Sequence, residues 1–496
     1  MLRGISRAVL SGNALAMAGM VLWAGVAGAT PDTKDLLIKF RNSKAVNHFA
    51  GSIQSGGAKI EKLGTANWVR VELSREQTRT LSVEDIRSNP NVVAVQPNYK
   101  IRLLEDYRVQ DPVLRAQLLK QLESQPEAAK QDNPPIPERG SGGSGRDSLY
   151  DRQWGMVDNG VANSWGRTRG QGMVVAVIDT GVDYTHEDLV DNLWRNPGET
   201  GRDSQGRDKA SNGVDDDRNG YIDDTIGWDM AKNDNKPFDL SVSATEILTG
   251  GGNPGHGTHC AGNVAGRGNN GKGVAGVAPE AKIMVLRFLT EKGEGTTADA
   301  IKAIDYAVRN GAKVLSNSWG SEGEDPADRE GNQALRDSIT AAQNAGVLFI
   351  AAAGNGHQGQ GYNNDTDAKP AYPASYDHDN IISVAALDSS DALGSFSNWG
   401  ARTVDIGAPG VAVFSTTVEN QYSDTVIDLF GIKVTWDGTS MACPHVAGAA
   451  ALYWAANPNA TWRQVKDAIL RTAKPTSSLR GKVVSGGKLS VQDLMR

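Results

Sequence analysis

The chain has 496 residues, with 51 Lys and Arg against 58 Asp and Glu and a formal net charge of -7. Its length allows roughly three domains, and 39% hydrophobic residues supply enough apolar surface for a buried core. The acidic balance excludes a nucleic-acid-binding protein, and two cysteines exclude a disulfide-rich scaffold and a four-cysteine zinc site.

The N-terminal residues have the pattern of an export signal. Arg3 and Arg7 precede an uncharged apolar stretch that ends in Ala27-Gly28-Ala29, a small-x-small cleavage motif. The alternative is an N-terminal membrane anchor, but polar residues at 11–13 interrupt the stretch. We therefore expect residues 1–29 to be a signal peptide. The mature protein would then be secreted, to the medium or the periplasm, with no membrane segment.

Residues 30–104 are predicted to form a small α+β domain. Strands are expected at 35–40, 68–73 and 92–97, and a helix over 75–87. Residues 105–147 are predicted to be a linker, because Pro, Gly, Ser and charged residues dominate its second half. Such a segment is typically exposed and accessible to processing.

Residues 148–496 alternate between continuous apolar runs and helical segments. The runs at 174–178, 282–289, 313–316 and 347–352 have the composition of buried strands. Helices are expected over 296–310, from 438 to 456 and over 461–473. This alternation predicts an α/β domain with a doubly wound, mostly parallel sheet, whose ligands bind at the carboxyl ends of the strands.

Four polar side chains occupy such positions. Asp179 follows a predicted strand, His256 enters a helix from a Gly-rich loop, Asn355 follows another strand, and Ser440 begins the long helix. A serine hydroxyl needs a neighbouring base to become a nucleophile, and the base needs a buried acceptor to fix its tautomer. A helix N-terminus also directs N–H groups at a developing oxyanion. The sequence therefore predicts a nucleophilic hydrolase.

These four segments, in this order, resemble the motifs of subtilisin-like serine proteases, the subtilase family. The resemblance covers the predicted α/β domain and implies a subtilisin-like fold. It implies that Asp179 orients the base, that His256 is the general base, that Ser440 is the nucleophile and that Asn355 lines the oxyanion hole. His259, three residues beyond His256, is expected to be structural.

The resemblance extends to the N-terminal domain. Residues 30–104 look like the inhibitor-type propeptide of the family, a ferredoxin-like prodomain, and residues 89–99 are similar to the end of such prodomains. This implies a self-processing zymogen whose own propeptide assists folding and then inhibits. The long linker leaves the first cleavage anywhere from soon after Tyr99 to near Leu149. The alternative is a stable accessory domain.

Subtilases bind an extended peptide between two backbone segments, a β-augmentation mode. The matching substrate-binding residues here are Gly293, Gly295, Ser318, Trp319, Gly320, Ala352, Ala353, Gly354 and Ala371. Because this lining is small and apolar, we expect a broad preference for apolar or aromatic residues before the scissile bond.

An acidic insertion between the Asp and His motifs has oxygen ligands at alternate positions and a Gly for a sharp turn, and it resembles the first half of an EF-hand loop. The candidate calcium ligands are Asp215, Asp217, Asn219, Tyr221, Asp223 and Asp224. A second calcium site is implied by the family resemblance. Its candidate ligands are Asp188, Asn270, Lys272, Val274 and Gln153.

Two questions stay open in the sequence. Cys260 and Cys443 lie one turn beyond His256 and Ser440, either as buried free thiols or as a disulfide. The expected function is a secreted, calcium-dependent endopeptidase of protein and peptide substrates, monomeric and without nucleic-acid partners. The alternatives are a maturation protease dedicated to one partner and a catalytically silent, calcium-bound binding protein with the same fold.

Overall fold

The computed structural model describes residues 34–64, 67–105, 107–108, 116, 120, 133–137, 144–322, 331–357, 359–429 and 432–496. The predicted signal peptide and most of the predicted linker lie outside these residues. Within the described ranges, no helix combines the length and the apolar composition that a membrane crossing requires.

The N-terminal unit is an antiparallel sheet with helices. Its elements are β1 (Asp35–Phe40), α1 (Ser43–Gln54), β2 (Lys59–Leu63), β3 (Trp68–Glu72), α2 (Gln77–Thr80), α3 (Val83–Arg87) and β4 (Val92–Pro97). The strand order is β2-β3-β1-β4. Side chains of β1 alternate between two faces. Leu36 and Ile38 pack with Phe49 of α1, whereas Leu37 joins the core of the larger unit.

The sequence prediction for this unit was incomplete. The helix predicted over 75–87 is two helices, because Ser82 starts a new one with a capping box. Its hydroxyl accepts from the Asp85 N–H, while the Asp85 carboxylate accepts from the Ser82 N–H. The prediction also omitted α1 and β2. Asn42 caps α1 by accepting from the Ala45 N–H.

The larger unit carries the remaining elements. In chain order they are β5 (Lys100–Arg102), α4 (Trp154–Asp158), α5 (Val161–Ser164), β6 (Val174–Asp179), β7 (Gly227–Asp229), α6 (Ala244–Gly250), α7 (His256–Ala265), β8 (Lys282–Arg287), β9 (Glu294–Thr296), α8 (Thr297–Arg309), β10 (Val314–Asn317), β11 (Ser321–Glu322), α9 (Gln333–Asn344), β12 (Leu348–Ala352), β13 (Ala371–Tyr372), β14 (Ile381–Leu387), β15 (Ile406–Pro409), β16 (Ser415–Thr417), β17 (Gln421–Ser423), β18 (Thr425–Leu429), β19 (Ile432–Thr435), α10 (Thr439–Ala456), α11 (Trp462–Arg471), β20 (Lys474–Pro475), β21 (Gly487–Lys488) and α12 (Val491–Leu494).

A nine-stranded sheet in the order β20-β21-β15-β14-β12-β10-β6-β8-β7 forms the centre of this unit. All neighbouring strands of this sheet pair in parallel except β20 and β21, which pair antiparallel. Val175 and Val177 of β6 face the core that contains α10, while Ala176 and Ile178 face the core beneath α8 and α9. The predicted α/β class with a mostly parallel sheet is confirmed.

The strand order reverses at β6, whose neighbours are β8 on one side and β10 on the other. In doubly wound sheets the crevice at such a point, at the carboxyl ends of the strands, binds the ligand. Asp179 ends β6, and Ser318 directly follows β10. The crevice expected to bind a ligand therefore lies at this edge of the sheet.

Candidate active site

The fold brings the end of β6 against the start of α7. His256 Nδ1 lies 2.7 Å from Asp179 Oδ1, and both side chains are buried. Burial alone would lower the pKa of His256, but the Asp179 and Glu105 carboxylates raise this pKa well above its ordinary value. Asp179 thus fixes the ring so that Nε2 faces the cleft.

Asp239 is a buried residue of this site that the sequence alone did not reveal. Its buried carboxylate accepts from Thr180 Oγ1 at 2.8 Å, from Asn253 Nδ2 at 2.6 Å and from Thr258 Oγ1 at 2.6 Å. Asn253 Oδ1 in turn accepts from the His256 N–H. Asp239 therefore joins the end of β6 to the start of α7. No local motif marks it, because its partners are distant along the chain.

Ser440 lies in the first turn of α10, a buried helix that packs against the sheet and α7. Its hydroxyl donates to the Ser318 carbonyl at 3.2 Å. Pro444 lies beyond the first turn of α10, so it removes the N–H that would have bonded the Ser440 carbonyl. Ser318 Oγ replaces that donor at 2.9 Å.

Asn355 follows β12 and presents its amide to the same cleft. Its Oδ1 accepts from the Thr439 N–H and from Thr439 Oγ1 at 2.9 and 2.8 Å. These bonds turn Nδ2 toward the cleft, where it donates to Glu105 Oε1 at 3.0 Å. The amide therefore already faces an anionic oxygen.

That oxygen belongs to a stretch of the chain's own N-terminal part that crosses the cleft. Strand β5 pairs antiparallel with β9, so that Ile101 is opposite Gly295. Arg102 exchanges two hydrogen bonds with Gly320, and the Leu103 N–H donates to the Gly293 carbonyl. The Glu105 side chain is 2% exposed, and its Oε2 lies 3.3 Å from His256 Nε2. Glu105 was not among the predicted site residues.

The structure distributes the predicted substrate residues along this cleft. A Cβ on Gly320 would approach the Tyr372 carbonyl to 2.6 Å and Leu104 Cδ2 to 3.2 Å, so this strand pairing needs glycine. Ala352 ends the neighbouring strand β12, Ala353 and Gly354 directly follow it, and Ala371 lies in β13 beside β11. The Trp319 side chain does not line the cleft. It is buried against Phe288 and Phe349.

The remaining histidine and cysteine candidates are buried. His259 stacks on Trp436 with ring centroids 4.3 Å apart, and burial lowers its pKa to about 3. Cys260 and Cys443 are free thiols. Cys260 Sγ lies 3.5 Å from the Ser440 carbonyl oxygen and 3.9 Å from His256 Nδ1. Burial raises the pKa of this thiol to about 11, so it stays protonated.

The acidic insertion forms a carboxylate cluster in which Glu199, Asp215 and Asp217 each place an oxygen within 4.8 Å of the others. Glu199 is fully buried, and its Oε2 has no hydrogen-bond partner among the described residues. Burial raises its pKa to about 7. An orphaned carboxylate oxygen beside two further carboxylates fits a hard divalent cation such as calcium.

The predicted ligand set of this insertion is incomplete. Glu199 was missed because it lies outside the EF-hand-like segment. The Asp223 carboxylate accepts from the Gly213 N–H, and the Tyr221 ring packs against Trp228 and Tyr306, which leaves Tyr221 its backbone carbonyl as the ligand expected at the seventh position of an EF-hand-like loop. Asn219 and Asp224 lie next to the cluster and are linked to it by hydrogen bonds. Asn219 Nδ2 donates to Asp217 and Asp224, and Asp224 also accepts from Tyr306.

The residues of the second predicted calcium site are neighbours, but they satisfy one another. Asp188 accepts from Asn270 Nδ2 at 2.6 Å and from the Val274 N–H at 2.8 Å, while Asn270 Oδ1 accepts from the Lys272 N–H. The Gln153 amide bonds both backbone groups of Ala275. No orphaned oxygen comparable to Glu199 Oε2 is found among these five described residues. The second site stays a prediction.

Comparisons with known proteins all indicate the same family of proteases. Residues 170–488 match the subtilase family. The chain is 34% identical over 326 residues to the thermophilic serine proteinase of Bacillus sp. (strain AK1), covering 66% of this chain and 62% of that protein. It is 33% identical over 326 residues to thermitase of Thermoactinomyces vulgaris, covering 66% and 90% respectively.

A solved structure shares the fold. The crystal structure of fervidolysin from Fervidobacterium pennivorans, described as a keratinolytic enzyme related to subtilisin, superposes with a TM-score of 0.64 at 22% identity. The superposition covers 95% of this chain and 62% of that one.

Proposed function

The chain belongs to the subtilase family of serine proteases, and from this premise we propose that it is a secreted, calcium-dependent endopeptidase made as a self-processing zymogen. The observation that carries the proposal is the course of residues 100–105 through the cleft. This segment pairs with β9 and with Gly320 as an extended substrate would, and it brings residue 105 to His256.

The site residues supply the steps of acyl transfer. Ser440 Oγ would attack the carbonyl carbon of the bound peptide while His256 Nε2 accepts its proton, with Asp179 holding Nδ1–H. Asn355 Nδ2 and the first-turn N–H groups of α10 would stabilise the oxyanion. His256 would then return the proton to the leaving amine, and water would hydrolyse the acyl-enzyme.

We place the first self-cleavage between Leu104 and Glu105. The pairing at Arg102 brings Leu104 to the catalytic end of the cleft, and its side chain packs against the apolar core cluster that includes Ala352. An apolar residue before the scissile bond agrees with the small, apolar lining expected there. Cleavage requires the Glu105 carboxylate to leave His256 and Asn355, so the described conformation is a latent one.

The N-terminal unit is well placed to act as inhibitor and folding aid. Gln96 Oε1 accepts from the Ala334 N–H of α9, and Asn98 Oδ1 accepts from the Ala298 N–H of α8. These bonds satisfy N–H groups that have no partner within their helices. Trp68 Nε1 also donates to Asp337 of α9 at 2.8 Å. The unit therefore stabilises both helices while it closes the cleft.

Calcium is proposed at the cluster of Glu199, Asp215 and Asp217. A bound cation would neutralise three neighbouring carboxylates and fix the insertion against the sheet, so its role is to stabilise the fold.

N-terminal sequencing and intact-mass analysis test the proposal. We expect the wild type to yield a fragment that begins at Glu105 and to react at Ser440 with a serine-directed phosphonate. Ser440→Ala should stay unprocessed and lose about 10⁶-fold in kcat, the size of loss known for subtilisin. The matched control is Ser390→Ala, in an exposed turn, which should behave as the wild type.

Two results would contradict the proposal. Processing by Ser440→Ala at the wild-type rate would exclude self-cleavage by this serine. A folded protein that neither reacts with the phosphonate nor cleaves peptides would instead be a silent binding protein. A profile of cleaved peptides separates the remaining alternatives, because a single cleaved sequence indicates a dedicated maturation protease and a broad apolar preference indicates degradation.

A further inference from the structure

Tyr107, two residues after Glu105, occupies an apolar chamber on the leaving-group side of the cleft. The chamber is lined by Val242, Ile247, Leu248, Ile427, Val434 and Trp436. We propose that it is a substrate pocket for the aromatic side chain of the third residue after the scissile bond. This inference rests on the proposed endopeptidase function and adds a subsite to it.

The position of the chamber follows from the register of the chain in the cleft. Arg102 is fixed on Gly320, and Glu105 is fixed on His256 and Asn355. With cleavage after Leu104, Glu105 is the first residue of the leaving group and Tyr107 is the third. A substrate that follows the same course would place its own third residue in the chamber.

Two segments build the walls, and both are anchored at the catalytic centre. One carries α6, and its Val242 N–H donates to the carbonyl of Asn253, whose side chain holds the His256 N–H. The other is the β18–β19 hairpin, which leads into Trp436. The Trp436 ring lies 6.4 Å from the His256 ring, and its centroid is 6.4 Å from that of Tyr107 in an edge-on arrangement. The chamber therefore keeps a fixed position relative to the reacting atoms.

The chemistry of the chamber selects a ring without a polar substituent. Ile247, Leu248 and Ile427 are at most 4% exposed. The Tyr107 hydroxyl is buried and finds no hydrogen-bond partner among the described residues. Burying a hydroxyl without a partner is unfavourable, whereas burying an aromatic ring is favourable. Phenylalanine should therefore bind better than tyrosine, and a charged side chain should be rejected.

Peptide cleavage by the processed enzyme tests this inference. The peptides carry Leu before the scissile bond and Phe, Tyr, Ala or Asp three residues after it. We expect kcat/KM for the Phe peptide to be about tenfold to a hundredfold higher than for the Ala peptide. It should also be about tenfold higher than for the Tyr peptide. The same substitutions at the second residue after the scissile bond should give no comparable increase in kcat/KM.

Wall variants identify the pocket. Ile427→Ala and Leu248→Ala should each reduce the Phe-to-Ala ratio at the third position and leave the Leu-to-Ala ratio before the scissile bond unchanged. Val484→Ala, at an exposed valine, should change neither ratio. An enzyme that cleaves every peptide without discriminating at the third position would overturn the inference while leaving the proposed function intact.

A second measurement does not depend on activity. In the full chain carrying Ser440→Ala, added trypsin can cleave after Arg108, next to Tyr107. Tyr107→Asp should release the residues around Tyr107 from the chamber and accelerate tryptic cleavage after Arg108. Tyr107→Phe should leave the rate of this cleavage as slow as in the Ser440→Ala chain. Equal rates for the Asp and Phe variants would refute the chamber as a binding site even if the protein proved catalytically silent.

Discussion

At the scale of single residues, the distinctive feature is an imidazole held between two carboxylates. His256 contacts Asp179 through Nδ1 and Glu105 through Nε2. Burial lowers the pKa of His256, but the two carboxylates raise this pKa well above its ordinary value. Only the neutral imidazole can accept the serine proton, so the raised pKa opposes self-cleavage in the latent chain.

This arrangement predicts the pH dependence of self-processing. The rate should rise as pH increases through the raised pKa of His256, because the neutral form appears only above it. Glu105→Gln removes one of the two negative charges, lowers the pKa of His256 and should shift the rise in rate toward acid pH. The measurement is the rate of fragment formation between pH 5 and 9. Glu84→Gln, at an exposed glutamate, is the control, and identical profiles for the two variants would contradict the prediction.

A second prediction concerns Asn355, whose amide is oriented by Thr439. Asn355→Leu removes the side-chain donor that faces the developing oxyanion. We expect kcat for an external peptide to fall by about 10²–10³-fold with little change in KM, because this interaction strengthens in the transition state. Asn459→Leu, at an exposed position beyond α10, should keep wild-type kinetics. A change confined to KM would assign Asn355 to ground-state binding.

At the scale of elements, α10 shows how a helix can begin inside an active site and still carry a proline. Pro444 leaves the Ser440 carbonyl without its intrahelical donor, and Ser318 Oγ supplies a replacement from the end of β10. The same hydrogen bond fixes the first turn of α10, where the nucleophile lies, relative to the central sheet.

A double-mutant cycle tests this coupling between β10 and α10. Ser318→Ala in the Ser440→Ala background should lower the free energy of unfolding by about 1 to 2 kcal/mol, because a buried carbonyl loses its main donor. Adding Pro444→Ala restores a backbone N–H within reach of that carbonyl and should recover part of the loss. Thermal unfolding of all four combinations gives the coupling energy, and strict additivity would show that the two residues act independently.

At the scale of the whole molecule, the protein combines a nine-stranded sheet, an N-terminal unit that covers its cleft, and an acidic insertion near one edge of the sheet. The insertion contains a buried carboxylate, Glu199, with an oxygen that has no partner. Such a group destabilises the fold unless a cation or a proton neutralises it. The stability of the whole domain should therefore depend on calcium.

Calcium removal provides the corresponding prediction. In the Ser440→Ala protein, exchange of millimolar calcium for a chelator should lower Tm by about 3 to 4 °C, as expected when a domain of this size loses a ligand present at ~100 times its Kd. Glu199→Gln should reduce this difference strongly. Asp203→Asn, in the same insertion but outside the cluster, should retain it. A calcium response that survives Glu199→Gln would locate the ion elsewhere.

Much of the fold was accessible from local patterns. The apolar runs of β6, β10 and β12 and the N-cap and apolar spacing of α8 are periodic signals within short segments, so they predict elements and the α/β class. The errors also have local causes. Ser82 splits a predicted helix with a capping box, and Asn42 caps a helix that composition alone did not reveal.

The sequence by itself determined the family, the sheet class and the motifs that contain Asp179, His256, Asn355 and Ser440, because each motif is short and contiguous. Only the tertiary structure identified Asp239, Glu199, Glu105 and the Tyr107 chamber. These groups owe their roles to contacts between segments that lie far apart along the chain. Glu105 contacts His256, which lies 151 positions later in the sequence. Glu199 becomes a candidate ligand only when folding buries it beside Asp215 and Asp217. Burial and proximity, which set charge and reactivity, are properties of the packed chain and leave no periodic signal in its sequence.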